Sequence, residues 1–284
     1  MSFAKTVGAG GYGKVRLYYS QIFKRNVVEK VVGPSFLRAR DINTLRLTSL
    51  LQNYRQKENS LRKEMIFMML SKVVKLDCCV EILGYSSNPF RIIMEYCEGG
   101  DLRNILDKYE VPIQEKVQII SQILDAIKRI HEFGFIHGDL KCANIFLANK
   151  YIPGQYNNIK IKIGDFGLSE IGGNLVRLGT PGFMAPEVPK VGGSFESDIY
   201  SIGKVMLEIM TQLPLPIISV INNRSLFSLK NKLPKFLNVS AFYDVVIPCL
   251  NEDPKKRPNA KQLFTIFHTL MAVWIVTAKT LFHK

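Results

Sequence analysis

The chain has 284 residues, enough for one large domain or two small ones, and 47% of them are hydrophobic, ample for a packed core. Lys and Arg outnumber Asp and Glu by 38 to 24, and the net charge of +14 attracts anionic partners at long range without fixing a fold. No Arg-rich block interleaved with aromatics makes nucleic acid the main partner, and Cys78, Cys79, Cys97, Cys142 and Cys249, an odd number without a CxxC pair, indicate neither a disulfide framework nor a zinc site. Reduced thiols suit a cytoplasmic or nuclear setting, and Met1 to Thr6 lack the apolar run of a signal peptide.

The first element is Val7, Gly8, Ala9, Gly10, Gly11, Tyr12, Gly13, Lys14, Val15, which satisfies GxGxxGxV. Dinucleotide-binding folds share the glycines but open a helix at the third. Here Val15 to Tyr19 is β-branched and aromatic, so a strand follows, and the glycines form a hairpin tip suited to folding over phosphates. The next strand, Asn26 to Val32, sets Lys30 between Val28 and Val31, where an ammonium needs a partner for its charge. Leu61 to Leu70 is a good helix former in which Glu64 and Met68 share a face, so Glu64 is the first candidate partner and Glu58 the second. Between them, Pro34 to Ser60 carries Arg38, Arg40, Arg46 and Arg55 and reads as an exposed basic insertion, helical around Ile42 to Gln52. It is either a docking surface or a loop without function.

A further strand at Arg91 to Met94 leads into Glu95, Tyr96, Cys97, Glu98, Gly99, Gly100, Asp101 and Leu102, where the glycine pair marks at least a turn. From Ile113 to Phe133, Val117, Ile120, Ile123, Leu124, Ile127 and Ile130 recur at helical spacing and predict a long buried helix. His131, near its end, reads as a structural or surface residue.

The phrase that follows, His137, Gly138, Asp139, Leu140, Lys141, Cys142, Ala143, Asn144, with Asp165, Phe166 and Gly167 downstream, resembles the catalytic loop and metal-binding triplet of eukaryotic-type protein kinases. One substitution stands out: the family's His-Arg-Asp reads His-Gly-Asp. The resemblance implies an α+β, two-lobed protein kinase fold across residues 1–284. A small antiparallel β-sheet N-lobe with one helix would occupy 1–95, and a mainly α-helical C-lobe 96–284.

It also implies phosphoryl transfer from ATP, in which positioning and electrostatics dominate because the transition state is loose and charge-rich. Asp139 would orient the acceptor hydroxyl and take its proton, and Lys141 would reach the transferred phosphoryl group. Asn144 and Asp165 would offer hard oxygen ligands to Mg²⁺. Lys30 would pair with the α- and β-phosphates and be anchored by Glu64. Backbone groups of Glu95 and Cys97 would take adenine, with Val28, Met94 and Phe146 around it, and Asp101 would bond the ribose. His137 reads as a core residue against Phe166 and not as the base.

Further along, Met184, Ala185, Pro186, Glu187 closes what would be the activation segment, Leu168 to Phe183. Asp253, Pro254, Lys255, Lys256, Arg257, Pro258 would supply the arginine that pairs with Glu187, and Asp198 would hold the catalytic-loop backbone. Lys141, together with Gly179, Thr180 and Pro181, resembles serine/threonine kinases, with Thr180 bonding Asp139 and Lys141. Ala143 stands where glutamate selects basic substrates, so acidic protein substrates fit a chain of this charge better. A pseudokinase scaffold is the alternative, although such proteins usually lose Lys30, Asp139 or Asp165, all kept here. Gly138 removes the arginine that would bind a phosphorylated loop residue, and the matching position falls near Val176, which cannot be phosphorylated, so activity independent of loop phosphorylation is expected.

Leu263 to Ala278 lacks Asp, Glu, Lys and Arg, and reads as an overlong last helix packed on the C-lobe, with a membrane anchor as the alternative. The short chain, beginning almost at the glycine loop, also suits a minimal kinase such as large DNA viruses encode.

Overall fold

Strands rich in Val, Ile and Tyr, separated by short turns, build the first sheet. The computed structural model describes residues 5–10, 13–32, 44–171, 178–213 and 239–282. They fall into two compact units, Met1–Cys97 with Asp165–Ser169, and Glu98–Gly164 with Glu170–Lys284. The border lies after Cys97, two residues beyond the sequence-based limit at Glu95, and the segment beginning at Asp165 belongs to the first unit.

The first unit holds a five-stranded antiparallel sheet of β1 (Lys5–Gly10), β2 (Gly13–Ser20), β3 (Arg25–Val31), β4 (Ile82–Ser87) and β5 (Phe90–Glu95), in the order β1-β2-β3-β5-β4. The glycine run is a β1–β2 hairpin in which Gly10 pairs with Gly13. Gly11 and Tyr12, its tip, lie outside the described residues. β3 is the middle strand, so Lys30 is flanked by Val15 on β2 and Ile92 on β5, and Val28 by Leu17 and Met94.

Helix α1 (Thr44–Val73) packs on β4 and β5 and buries Leu61, Glu64, Phe67, Met68 and Ser71 along one stripe at helical spacing. It runs without a break through Ser60, so the structure draws no boundary between the expected insertion and the expected helix. Arg38 and Arg40 lie outside the described residues, and Arg55 is exposed.

In the second unit, α2 (Leu102–Lys108) and α3 (Ile113–Glu132) accompany two small antiparallel sheets. One orders β6 (Gly100–Asp101), β8 (Ile145–Leu147) and β9 (Ile161–Ile163), and the other pairs β7 (Phe135–Ile136) with β10 (Glu170–Ile171). Helices α4 (Val188–Val191), α5 (Phe195–Thr211), α6 (Val239–Cys249) and α7 (Ala260–Phe282) follow. Of the periodic residues read in α3, Ile120, Ile123, Leu124, Ile127 and Ile130 are buried, and Val117 is half-buried. Helix α5 opens with a reciprocal cap, Ser194 Oγ accepting from Ser197 N and Ser197 Oγ from Ser194 N. It is then buried from Ser197 to Met210 on nearly every side except at Tyr200, which makes it the axis of this unit.

Helix α7 packs on α3 through a stripe that buries Leu263, Phe267 and Met271, which accounts for the first half of the uncharged C-terminal run. Among the described residues no helix is long and apolar enough to cross a membrane. None of the five cysteines, all of them among the described residues, is disulfide-bonded.

Glu187 and Arg257 lock the segment before α4 to the turn before α7. Arg257 donates from Nη1 to Glu187 Oε1 at 2.5 Å and from Nη2 to Oε2 at 2.8 Å, and its remaining donors reach the carbonyls of Asn251 and Glu196. The arginine side chain is fully buried, so removing it strands a carboxylate. Arg257→Ala is expected to lose about 3 kcal/mol of stability, measured by urea unfolding.

Candidate active site

In the first unit, three charges meet. Lys30 Nζ lies 2.7 Å from Glu64 Oε2 and 2.7 Å from Asp165 Oδ1. Burial alone would push the ammonium toward neutrality, but the two carboxylates outweigh it and raise its pKa. Glu64 is pushed up to about 7 by its own burial, opposed by Lys30 and reinforced by the charge of Asp165. Glu58, the second candidate, pairs instead with Arg62.

Asp165 adopts φ +61, a left-handed conformation uncommon outside glycine, and its neighbours hold it there. Phe166 stacks on Phe67 of α1 with ring centroids 3.8 Å apart. Ser60 Oγ donates to the carbonyl of Gly167 at 2.8 Å, and a Cβ on Gly167 would lie 2.6 Å from that hydroxyl. Helix α1 therefore grips Phe166 and Gly167 directly, while Asp165 is held by Lys30, which Glu64 of α1 also binds. Ser60 was not singled out from the sequence, although its place one helical turn before Glu64 puts it on the same face.

In the second unit, Asp139 is buried among four donors. Thr180 donates to Oδ1 from its backbone N at 2.9 Å and from Oγ1 at 2.6 Å, while Lys141 Nζ at 2.7 Å and Asn144 Nδ2 at 3.2 Å serve Oδ2. Burial works against the charge, yet the hydrogen bonds from Lys141 and Thr180 and the charge of Lys141 hold Asp139 below the ordinary carboxylate range. Lys141 also reaches Thr180 Oγ1 at 2.6 Å, the contact expected of that threonine.

Asp198, at the start of α5, fixes the loop from beneath. It accepts from the backbone N of His137 at 2.8 Å and of Gly138 at 2.9 Å, and from His131 Nε2 at 3.0 Å. His131 is thus structural, not a surface residue. His137 is buried with Nε2 against the carbonyl of Gly164, and its Nδ1 accepts from Asp139 N, so the ring is a core strut and carries its proton on Nε2.

Of the remaining expected residues, Met94 and Cys97 are buried in the first unit, Val28 is half-buried, and Glu95 exchanges hydrogen bonds with Glu81. Asp101 caps α2 by accepting from Asn104 N, and it pairs across the sheet with Phe146. Sequence reasoning missed the ties of Glu208 on α5. This buried carboxylate accepts from Arg103, which also bonds Asp107, and it adds to the effect of burial in raising the pKa of Cys142 in the catalytic loop. Arg103 and Glu208 stand 105 residues apart, and no local pattern links them.

Comparison with known proteins agrees with this geometry. A family model described as protein kinase domain matches residues 1–267. The chain belongs to the protein kinase family. Serine/threonine-protein kinase Nek9 of Xenopus laevis is 29% identical over 91% of the chain, which spans 26% of that relative. Serine/threonine-protein kinase ppk11 of Schizosaccharomyces pombe is 30% identical over 81% of the chain and 75% of its own length. Serine/threonine-protein kinase pakG of Dictyostelium discoideum is 31% identical over 64% of the chain, which covers 16% of it. Two of these three relatives are therefore several times longer than the region they share with this kinase domain.

Against that family pattern, Gly138 has a backbone reason. Its φ is +79, where a side chain is strained, and its N–H is one of the two that Asp198 holds. Gly138→Ala is expected to cost about 1 kcal/mol, seen as a lowered denaturation midpoint, because alanine resists the left-handed conformation.

Proposed function

We propose that this protein is a serine/threonine protein kinase that transfers the γ-phosphoryl group of ATP to protein hydroxyls, with Asp139 orienting the hydroxyl and accepting its proton. The observation that carries the proposal is the closed set of Asp139, Lys141, Asn144 and Thr180, four side chains joined by hydrogen bonds around one carboxylate.

Each oxygen of Asp139 already accepts two hydrogen bonds, which fills its lone pairs. An acceptor hydroxyl must displace one donor. Lys141 is the donor with somewhere to go, because its ammonium can turn to a phosphoryl oxygen and leave Oδ2 to the hydroxyl. Asp139, with its lowered pKa, is a weak base, which suits a loose transition state in which the oxygen nucleophile needs orientation more than early deprotonation.

By donor chemistry, Asn144 and Asp165 would each suit magnesium, whose charge would neutralise the phosphates. Asn144 spends Nδ2 on the carbonyl and carboxylate of Asp139, which leaves its Oδ1 as a hard ligand, and Asp165 has Oδ2 beyond the oxygen given to Lys30. Magnesium is commonly held by one or two carboxylates plus substrate phosphates, so so sparse a protein ligand set is adequate. In this reading Lys30 takes the α- and β-phosphates, the β1–β2 hairpin covers them, Glu95 and Cys97 offer backbone groups to adenine, and Asp101 keeps free lone pairs for a ribose hydroxyl.

Activity without activation-loop phosphorylation is part of the same proposal. Gly138 offers no guanidinium to a phosphate, and Val176, which lies outside the described residues, offers no hydroxyl. Thr180 bonds Asp139 and Lys141, and Ser60 bonds Gly167, through the chain's own hydroxyls.

Purified protein with Mg²⁺ and ATP should phosphorylate a generic serine/threonine acceptor, and Asp139→Asn should slow it about 10²-fold or more. Equal rates, or none in either protein, would favour the pseudokinase reading. Separately, treatment with a phosphatase, followed by its removal, should leave the rate unchanged. A large loss would show that a phosphorylated residue is required.

A further inference from the structure

The second unit carries a groove of about 670 Å³ where the end of α6, the turn at Pro254–Lys256 and the first turns of α7 meet. Its lining includes Lys255, Lys256 and Lys261 around Pro248, Pro258 and Ile266, and no acidic side chain. The three lysines are exposed, and no described residue forms an ion pair with them. The carboxylate nearest in sequence, Asp253, is occupied in capping the turn by accepting from Lys255 N.

The walls are fixed. Arg257 anchors the turn through its two bonds to Glu187, and Thr265 and Ile266 belong to the part of α7 whose opposite face packs into the core. The groove is shallow and open, but its main chain is already in place and need not rearrange on binding. Three ammonium groups around an apolar floor match an extended chain bearing carboxylates and an apolar side chain. A nucleic acid backbone would use the charges and leave Pro248, Pro258 and Ile266 without partners.

We infer that this groove docks an acidic segment of the kinase's protein substrate, one carrying apolar residues among its carboxylates. The inference rests on the kinase reading for the word substrate, but binding itself does not need catalysis. The docked segment would raise the local concentration of the acceptor hydroxyl and lower its KM without changing kcat, because none of the three lysines belongs to the catalytic set.

The test uses a fluorescein-labelled peptide of alternating Glu and Leu, with binding followed by fluorescence anisotropy. The unaltered protein should bind it, more weakly as salt is raised. Combined Lys255→Glu, Lys256→Glu and Lys261→Glu should weaken binding about tenfold, since each exposed ion pair contributes little and three act together. The milder Lys→Gln triple should weaken it less, and a peptide with Leu replaced by Ser should bind less tightly than the original. An acceptor fused to the Glu-Leu segment should show a raised KM in the charge-reversed triple, while a short acceptor without the segment is phosphorylated as before. Undiminished binding by both triples, equal binding of a Lys-for-Glu peptide, or tighter binding of a single-stranded oligonucleotide through the same lysines would overturn the proposal. Peptide binding by a protein that phosphorylates nothing would leave the groove standing and remove the kinase reading instead.

Discussion

A single ammonium buried in the middle of a sheet organises the first unit. Lys30 stands on the central strand β3 with Val15 and Ile92 to either side, where a charge without partners would be very costly. Glu64 comes from α1 and Asp165 from a turn 135 residues downstream, so one charge fixes the seating of a helix and of a remote loop. Two carboxylates on one ammonium leave an excess negative charge, and burial makes Glu64 the group that feels it most. A second cation at Asp165 would balance the set, which gives a physical reason why a site of this kind and a divalent metal belong together.

The second unit is organised by the opposite sign. Asp198, buried at the start of α5, holds two consecutive backbone N–H groups, and two such groups converge on one carboxylate only if the chain bends sharply. The bend falls on Gly138, whose left-handed backbone suits glycine. An arginine at that point would carry backbone strain in return for a phosphate-binding side chain. Glycine gives up the side chain and relieves the strain. The backbone bend that precedes Asp139 is held by Asp198, whose carboxylate also accepts from His131.

Much of this was legible because the signals were local or paired with a strong motif. The strand character of Val15 to Tyr19 decided between a hairpin and a nucleotide-binding helix, and the charge of Lys30 in an apolar strand demanded the carboxylate that Glu64 supplies. The full length of α1 was only partly legible: Ile42 to Gln52 and Leu61 to Leu70 each read as helical, but the polar run from Asn53 to Ser60 carries no apolar period to join them. His131 was ambiguous for another reason. A histidine at a helix end is buried or exposed according to what packs there, and its partner Asp198 is 67 residues away. Ser60 and the Arg103–Glu208 pair likewise depend on tertiary approach, which spacing along a chain does not encode.

The choice between catalysis and scaffolding turns on what each half of the machinery costs to keep. A scaffold that merely holds a nucleotide could use the phosphate-binding lysine of the first unit and dispense with the rest. Asp139 is almost wholly buried, and an ionised carboxylate there is tolerable only with a full set of donors, which ties down Lys141, Asn144 and Thr180. Asparagine at position 139 would carry no charge to desolvate, but its amide nitrogen would face donors where the carboxylate accepts four hydrogen bonds, and Lys141 would lose its counter-charge. Asp139 and its donors are therefore kept or lost as a set, and a scaffold would have no use for that set, whereas orienting a hydroxyl opposite a phosphoryl group would. Lys141 fits the same argument, because its ammonium is only part-buried and bridges two partners, which would let it leave Asp139 for a more negative oxygen.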